Sequence, residues 1–229
     1  VQQRNKKFFY LSPVCYIDLF QLHNLSEESE LESVLAPDGA MEAATEAKSK
    51  GQIHHIGFSA HNKDTALKVV QTGLFETIQF PFNFLETQAL EALHPAALEK
   101  DMGIIVMKPL GGGMLERADL CFRFLQQHPH VIPIPGVSNK AEFDQIMALY
   151  ETPQPLTDQD RQDMESIRER LGDAFCRRCG YCLPCPQGVM IREAQMFPAI
   201  MNRLAPPQAM LFMKETIATV EECIECGEC

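Results

Sequence analysis

Between residues 16 and 150, short and nearly continuous apolar runs alternate with longer stretches whose apolar positions recur every three or four residues. The runs at 16–22, 53–59, 77–82, 103–108 and 131–135 are apolar at almost every central position, the pattern of strands buried on both faces of a parallel sheet. The segments 39–50, 64–72, 87–99, 116–127 and 140–149 carry the helical period. Gly51, Gly73 and Gly103 follow the first three helical segments, where a glycine commonly ends a helix. Five βα units at about 30-residue spacing predict an α/β fold with parallel strands and right-handed crossovers.

A doubly wound sheet and a (β/α)8 barrel both satisfy that alternation. No G-x-G-x-x-G follows the first strand, which weakens the dinucleotide-binding doubly wound sheet. Polar or reactive residues gather instead at strand C-terminal ends: His23, Ser59, Gln79, Asn83 and Lys108. A barrel places such residues in its catalytic mouth.

After residue 150 the pattern changes. Pro153 and Pro155 break the chain, and a charged helix is predicted over 157–171, opened by a capping box of Thr157 and Asp160. The expected domains are therefore 1–155 and 156–229. A helical spacer is predicted over 189–219, its Met190, Met196, Met201, Met210 and Met213 serving as apolar packing.

That spacer separates two cysteine runs. Cys176, Cys179, Cys182 and Cys185 stand at successive two-residue spacings before Pro186, and Cys223, Cys226 and Cys229 repeat the rhythm. A disulfide framework would need an oxidising compartment and a small, loop-rich scaffold. Structural zinc is the stronger rival, but its ligand pairs are usually divided by a longer loop. Successive two-residue spacers suit a [4Fe–4S] cubane, as in the bacterial ferredoxin run, where the fourth cysteine of each run serves the other cluster; here the spacer before Cys-Pro is two residues rather than three. By that rule Cys185, Cys223, Cys226 and Cys229 complete one cluster. Cys176, Cys179 and Cys182 hold a second whose fourth ligand is expected just past Cys229, so one or two clusters are expected.

Composition narrows the partners. The chain has 229 residues, 45% hydrophobic and 22% charged, with a formal net charge of −11. That charge argues against a nucleic-acid partner, which needs a basic patch. No apolar run approaches the ~18 residues needed to span a bilayer. The basic and aromatic start faintly resembles a signal peptide, but Pro13 and Asp18 interrupt the apolar stretch, and a cytoplasmic, reducing location is expected. Cys15 and Cys121 are expected to be small buried hydrophobes, and His54 and His55, as strand neighbours, point to opposite faces. Glu221, Glu222, Glu225 and Glu228 read as solvated charge.

Five motifs, in order across about 125 residues, carry a family resemblance. Tyr16-Ile17-Asp18-Leu19-Phe20-Gln21-Leu22-His23 resembles the fourth strand of aldo-keto reductases, which ends on an active-site histidine. Lys50 to Ser59 is similar to the lead into their fifth strand, and Gln79-Phe80-Pro81-Phe82-Asn83 to their sixth. Lys108-Pro109-Leu110-Gly111-Gly112-Gly113 resembles the seventh strand and turn, and Ile132-Pro133-Ile134-Pro135-Gly136 the eighth. With the cysteine runs, the chain resembles the branch of that family bearing a C-terminal 4Fe-4S ferredoxin-type domain.

The resemblance implies a partial (β/α)8 barrel, strands 4–8, followed by a small, mainly helical dicluster ferredoxin-like domain. It implies nicotinamide-dependent redox chemistry on a small carbonyl or alcohol, NAD(P) as cofactor, and a redox partner protein for the clusters. His23 would be the catalytic donor. Ser59 and Gln79 would grip the nicotinamide carboxamide, with Ala60 where relatives carry Asn and Met107 where many carry an aromatic. Lys108, Leu110, Gly111 and Gly112 would approach the cofactor from the seventh-strand turn, and Gly136, Ser138 and Asn139 from the last barrel helix. Glu142 stands about where NADP-preferring relatives place an arginine. The family's Asp, Tyr and Lys lie on strands with no counterpart here, so the chain is expected to be part of a longer polypeptide. Two other classes remain: an electron-transfer module on a barrel scaffold, and a zinc-stabilised binding protein.

Overall fold

The computed structural model of the chain describes residues 16–171, 176 and 182–227; Cys15, Cys179 and Cys229 lie outside them. Five strands, β1 (Ile17–Leu22), β2 (Ile53–Ser59), β3 (Thr77–Pro81), β4 (Gly103–Met107) and β5 (Val131–Ile134), form one sheet in the order β1-β2-β3-β4-β5. Every neighbouring pair is parallel. A doubly wound sheet reverses its strand order at a switch point. This sheet never reverses, so the α/β architecture is that of an arc of a (β/α)8 barrel.

The described chain divides into two compact units, the first holding residues 16–82, 86–107 and 129–134. In it the sheet is accompanied by α1 (Glu28–Leu35), α2 (Ala40–Ser49), α3 (Lys63–Gln71) and α4 (Leu93–Glu99). Period-2 alternation puts Ile56, Phe58, Ile78, Phe80, Ile104 and Val106 on one face, none more than 3% exposed. Ala66, Val69 and Val70 of α3 and Leu93 and Ala97 of α4 belong to the same core. Burying each large side chain there contributes roughly 1.5–3 kcal/mol. The expectation of two buried faces fails at β5, an outer strand of the sheet, where Ile132 and Ile134 are 65% and 45% exposed.

Local chemistry sets the helix ends. Asn62 caps α3, its side-chain oxygen accepting from the N–H groups of Asp64 and Thr65 at 2.9 and 3.1 Å. Gly51 and Gly73 end α2 and α3 at φ 66° and 69°, as expected. Gly103 does not play that part: it opens β4, and Asp101, at φ 55°, takes the left-handed position after α4. The helix expected over 87–99 begins only at Leu93, after a short 3-10 turn at Gln88–Leu90. Pro95 explains this, since it lacks the N–H that an interior position needs and is tolerated in a first turn. Helix α1 was not anticipated, because it buries no residue; a reciprocal pair of Glu27 and Glu30 caps it and Lys68 pairs with Glu28.

The second unit holds residues 83–85, 108–128 and the described residues from 135 onward. It contains a 3-10 turn at Gly111–Gly113, then α5 (Ala118–Leu125), α6 (Lys140–Glu151) and α7 (Asp158–Leu171). Leu120, Cys121 and Phe122 are fully buried there, with Met164 of α7 4% exposed. The expected capping box is present, with Asp160 accepting from the Thr157 N–H at 2.8 Å and the Asp160 N–H donating to Thr157 Oγ1 at 3.1 Å. Arg168 of α7 donates twice to the Phe84 carbonyl, at 2.8 and 3.1 Å.

The 189–219 spacer is helical as expected, built of four short helices: α8 (Ile191–Gln195), α9 (Phe197–Arg203), α10 (Pro206–Phe212) and α11 (Lys214–Val220). Pro198 and Pro206 sit at the starts of α9 and α10, where a missing N–H costs nothing. Met213 is buried, whereas Met210 is 48% exposed and does not pack as expected. Among the described residues no helix is long and apolar enough to cross a membrane.

Candidate functional site

The C-terminal ends of β1, β2 and β3 bring three of the expected site residues onto neighbouring strands. Ser59 and Gln79 are register partners. His23 follows β1 directly, and its Nδ1 lies 3.2 Å from Ser59 Oγ. Ser59 is only 3% exposed, whereas His23 is open to solvent.

The connections after β1 and β2 are laced together. The Asn24 N–H donates to Ser59 Oγ at 2.9 Å and the Leu25 N–H to the Ser59 carbonyl at 2.7 Å. The His61 N–H donates to Ser26 Oγ at 2.8 Å, while Ser26 Oγ donates to Asn24 Oδ1 at 2.9 Å. His61 Nδ1 lies 3.1 Å from the same Asn24 oxygen. Asn24 adopts φ 59°, a conformation that asparagine tolerates better than most residues. These bonds hold His23 between two fixed segments. Asn24, Ser26 and His61 were not anticipated; the one local signal was an asparagine directly after the strand.

Gln79 belongs to a second side-chain row. Its Oε1 accepts from Gln21 Nε2 at 3.0 Å, and its Nε2 lies 3.8 Å from Met107 Sδ. Gly57 keeps this row open: a Cβ there would meet Thr77 Oγ1 at 2.0 Å and Gln21 Cγ at 3.2 Å. Gln21 Oε1 and Thr77 Oγ1 are buried without a hydrogen-bond partner, so the row retains polar capacity beside Gln79.

The remaining expected cofactor residues lie in the second unit. Lys108 adopts φ 55°, and its carbonyl accepts from the fully buried Asn83 Nδ2 at 3.1 Å. Leu110 precedes the glycine turn, where Gly111, Gly112 and Gly113 take φ 57°, 70° and 101°. Gly136 is exposed and precedes α6. Asn139 caps α6, its Oδ1 accepting from the Glu142 N–H at 3.0 Å. Glu142 reaches back, accepting from the Ser138 N–H at 2.7 Å and from Asn139 Nδ2 at 3.2 Å. A carboxylate therefore occupies the donors that a phosphate would use at this helix N-terminus.

The described cysteines divide. Cys182 and Cys185 of the first run and Cys223 and Cys226 of the second line one cavity of about 140 Å³, with apolar walls that include Val189 and Ile191. Cys176 is half-buried and outside that lining. Among the described residues no three His, Cys, Asp or Glu side chains close on one point as around a single ion. Cys121 is buried as expected, and burial pushes its thiol up to about 12, which leaves it inert. His54 stacks on Tyr16 at 4.4 Å, and His55 lies 2.6 Å from Glu76.

Residues 13–120 match the model of the Aldo/keto reductase family. The apo form of aldo-keto reductase AKR11C1 from Bacillus halodurans is similar in fold, with a TM-score of 0.59 and 20% identity over 72% of this chain and 67% of that one. Its holo form aligns equally well and is covered to 65%. An aldo-keto reductase from Klebsiella pneumoniae in complex with NADPH gives a TM-score of 0.52 and 16% identity over 67% of this chain and 59% of that one. No curated protein matches the chain. At these identities the structural likeness speaks for fold, and the chain spans about two thirds of its relatives' length. Residues 13–120, a little under half of the chain, are thus similar to the aldo/keto reductase family, and the parallel α/β fold is the one the solved reductases share.

Proposed function

We propose that the strand ends bearing His23, Ser59 and Gln79 form a nicotinamide-dependent site for oxidation or reduction of a small carbonyl or alcohol. The C-terminal cysteines would hold one or two [4Fe–4S] clusters for electron exchange with a partner protein. The observation that carries the first part is the 3.2 Å approach of His23 to Ser59, with Gln79 in register beside it.

The residues suit a carboxamide. Gln79 offers both an oxygen and an NH2 group, and Ser59 Oγ keeps one lone pair beyond its two bonds. A bound nicotinamide would supply or accept the hydride at the carbonyl carbon. The His23 imidazole N–H would donate to the carbonyl oxygen and stabilise the charge that develops there. In the second unit the glycine turn spends the Gly111 and Gly113 N–H groups on the Lys108 and Leu110 carbonyls, and Glu142 opposes a phosphate at α6. NAD is therefore favoured over NADP, whose 2′-phosphate adds two negative charges.

The cysteine cavity suits an iron–sulfur cluster in its donors and apolar walls. A single tetrahedral zinc with ~2.3 Å bonds would draw its sulfurs to about 3.8 Å from one another. A cluster spaces them more widely, so sulfide analysis separates the two assignments. By the spacing rule Cys185, Cys223 and Cys226 would serve one cluster together with Cys229, and Cys176, Cys179 and Cys182 the other, with Cys182 also lining the first cluster's cavity. A bound cluster would supply one-electron transfer. The same cavity, contained within one unit, favours as second reading an electron-transfer or metal-binding module without reductase activity.

The test is anaerobic purification followed by iron and acid-labile sulfide analysis, with fluorescence titration by NADH and NADPH. Iron and sulfide in equal amounts, with NADH bound more tightly than NADPH, is the expected result. A cluster without nicotinamide binding would establish the second reading, and zinc without sulfide would overturn the cluster assignment.

A further inference from the structure

We propose that Ser59 is a positioning residue that fixes the tautomer of His23: its hydroxyl donates to Nδ1 and keeps the ring proton on Nε2. This rests on the reading of His23 as the donor to a substrate oxygen. The argument is one of satisfied valences. A serine hydroxyl has one hydrogen and two lone pairs. One lone pair of Ser59 Oγ is committed to the Asn24 N–H at 2.9 Å, so the oxygen is already an acceptor. Ser59 is 3% exposed, which removes bulk water as a partner for its hydrogen. The acceptor within reach is His23 Nδ1, at 3.2 Å. A buried hydroxyl hydrogen left unmade is costly, so the hydrogen goes to Nδ1. A neutral imidazole that accepts at one nitrogen carries its proton on the other. His23 thereby presents an Nε2–H donor without having to be charged.

Two consequences follow from the same count. Ser59 has no second hydrogen, so toward a nicotinamide carboxamide it can act only as an acceptor, and the donor to the carboxamide oxygen must be another group such as Gln79. The lacing of Asn24 and Leu25 onto Ser59 also makes the interaction a rigid one, since the backbone on both sides of the 3.2 Å approach is held by 2.7–2.9 Å hydrogen bonds.

The test is the imidazole 15N spectrum of the full chain with labelled histidine, recorded above the imidazole titration and without cofactor, with His23→Gln identifying the His23 signals. The expected result is an unprotonated Nδ1 and a protonated Nε2 in the wild type. Ser59→Ala should raise the ratio of Nδ1–H to Nε2–H roughly fivefold, and Ser59→Thr, which keeps the hydroxyl, should restore the wild-type ratio. A wild-type His23 protonated at Nδ1 would overturn the proposal, and that measurement stands even if Ser59→Ala does not fold. An unchanged ratio in a folded Ser59→Ala would overturn it too. No nicotinamide is present, so failure here leaves the reductase reading intact, and absence of nicotinamide binding would leave this result intact.

Discussion

Glu76 sits among three donors at the N-terminal end of the sheet. Partial burial raises its pKa, but Lys48 Nζ at 2.5 Å, His55 Nδ1 at 2.6 Å and the Ile56 N–H at 3.0 Å outweigh that, and the carboxyl is held at about 2. A folded pKa below the unfolded value means stability that is present above the ordinary carboxylate range and lost as pH falls through the folded pKa. Urea midpoints of the wild type should therefore drop between about pH 4.5 and 2 more steeply than those of Glu76→Gln. Equal slopes would show that these three bonds do not act on stability. At the strand ends, Gln79→Ala removes an amide that touches Gln21 and lies near Met107, and should weaken NADH binding roughly tenfold. An unchanged titration would place the carboxamide elsewhere. The sequence motifs pointed to His23, Ser59 and Gln79. They did not show the bonds of Asn24 to Ser59 or of His61 to Ser26, because each joins residues 35 apart and neither partner has a distinctive neighbourhood of its own.

The strand positions were legible because the sheet's helix-side face is fully buried. Ile56, Phe58, Ile78 and Phe80 must be apolar whatever surrounds them in sequence. Helix α1 was not legible for the converse reason: its stability comes from capping and a charge pair, and it leaves no apolar stripe. Gly57 leaves no room for a Cβ. Gly57→Ala should destabilise the chain by about 1–3 kcal/mol, read from denaturant midpoints, because Thr77 Oγ1 lies 2.0 Å from the new methyl and a β-branched side chain has few rotamers to yield. In the second unit Asp160 caps α7 and accepts from Arg123 Nη1 at 3.0 Å with both oxygens. The Thr157 backbone bond foremost, with Arg123 adding to it, holds its carboxyl below the usual range. Asp160→Ala removes the carboxylate half of the capping box and the carboxylate partner of the partly buried Arg123, and should cost roughly 2–4 kcal/mol. A loss under ~0.5 kcal/mol would mean that neither interaction matters to α7.

At the scale of the molecule, two chemistries share one chain: a parallel sheet with polar groups at its C-terminal edge, and a cysteine cavity assembled from two runs far apart in sequence. Cysteine spacing made the second legible, since two-residue spacers bring thiols together within one loop; that members of both runs line one cavity required the fold. If the cavity holds a cluster, Cys185→Ser and Cys226→Ser should each lower iron and sulfide together in anaerobically purified chain, whereas Cys121→Ser should leave both unchanged. Equal metal content in all three variants would remove the cavity from the assignment. The most direct test of the proposed nicotinamide site is NMR titration of the chain with NADH, following the His23 imidazole and the Gln79 side-chain amide. Saturable shifts of both, with Gln79→Ala weakening the titration, are the expected result. NADH that binds without moving either resonance, or does not bind at all, would contradict a nicotinamide site at these strand ends.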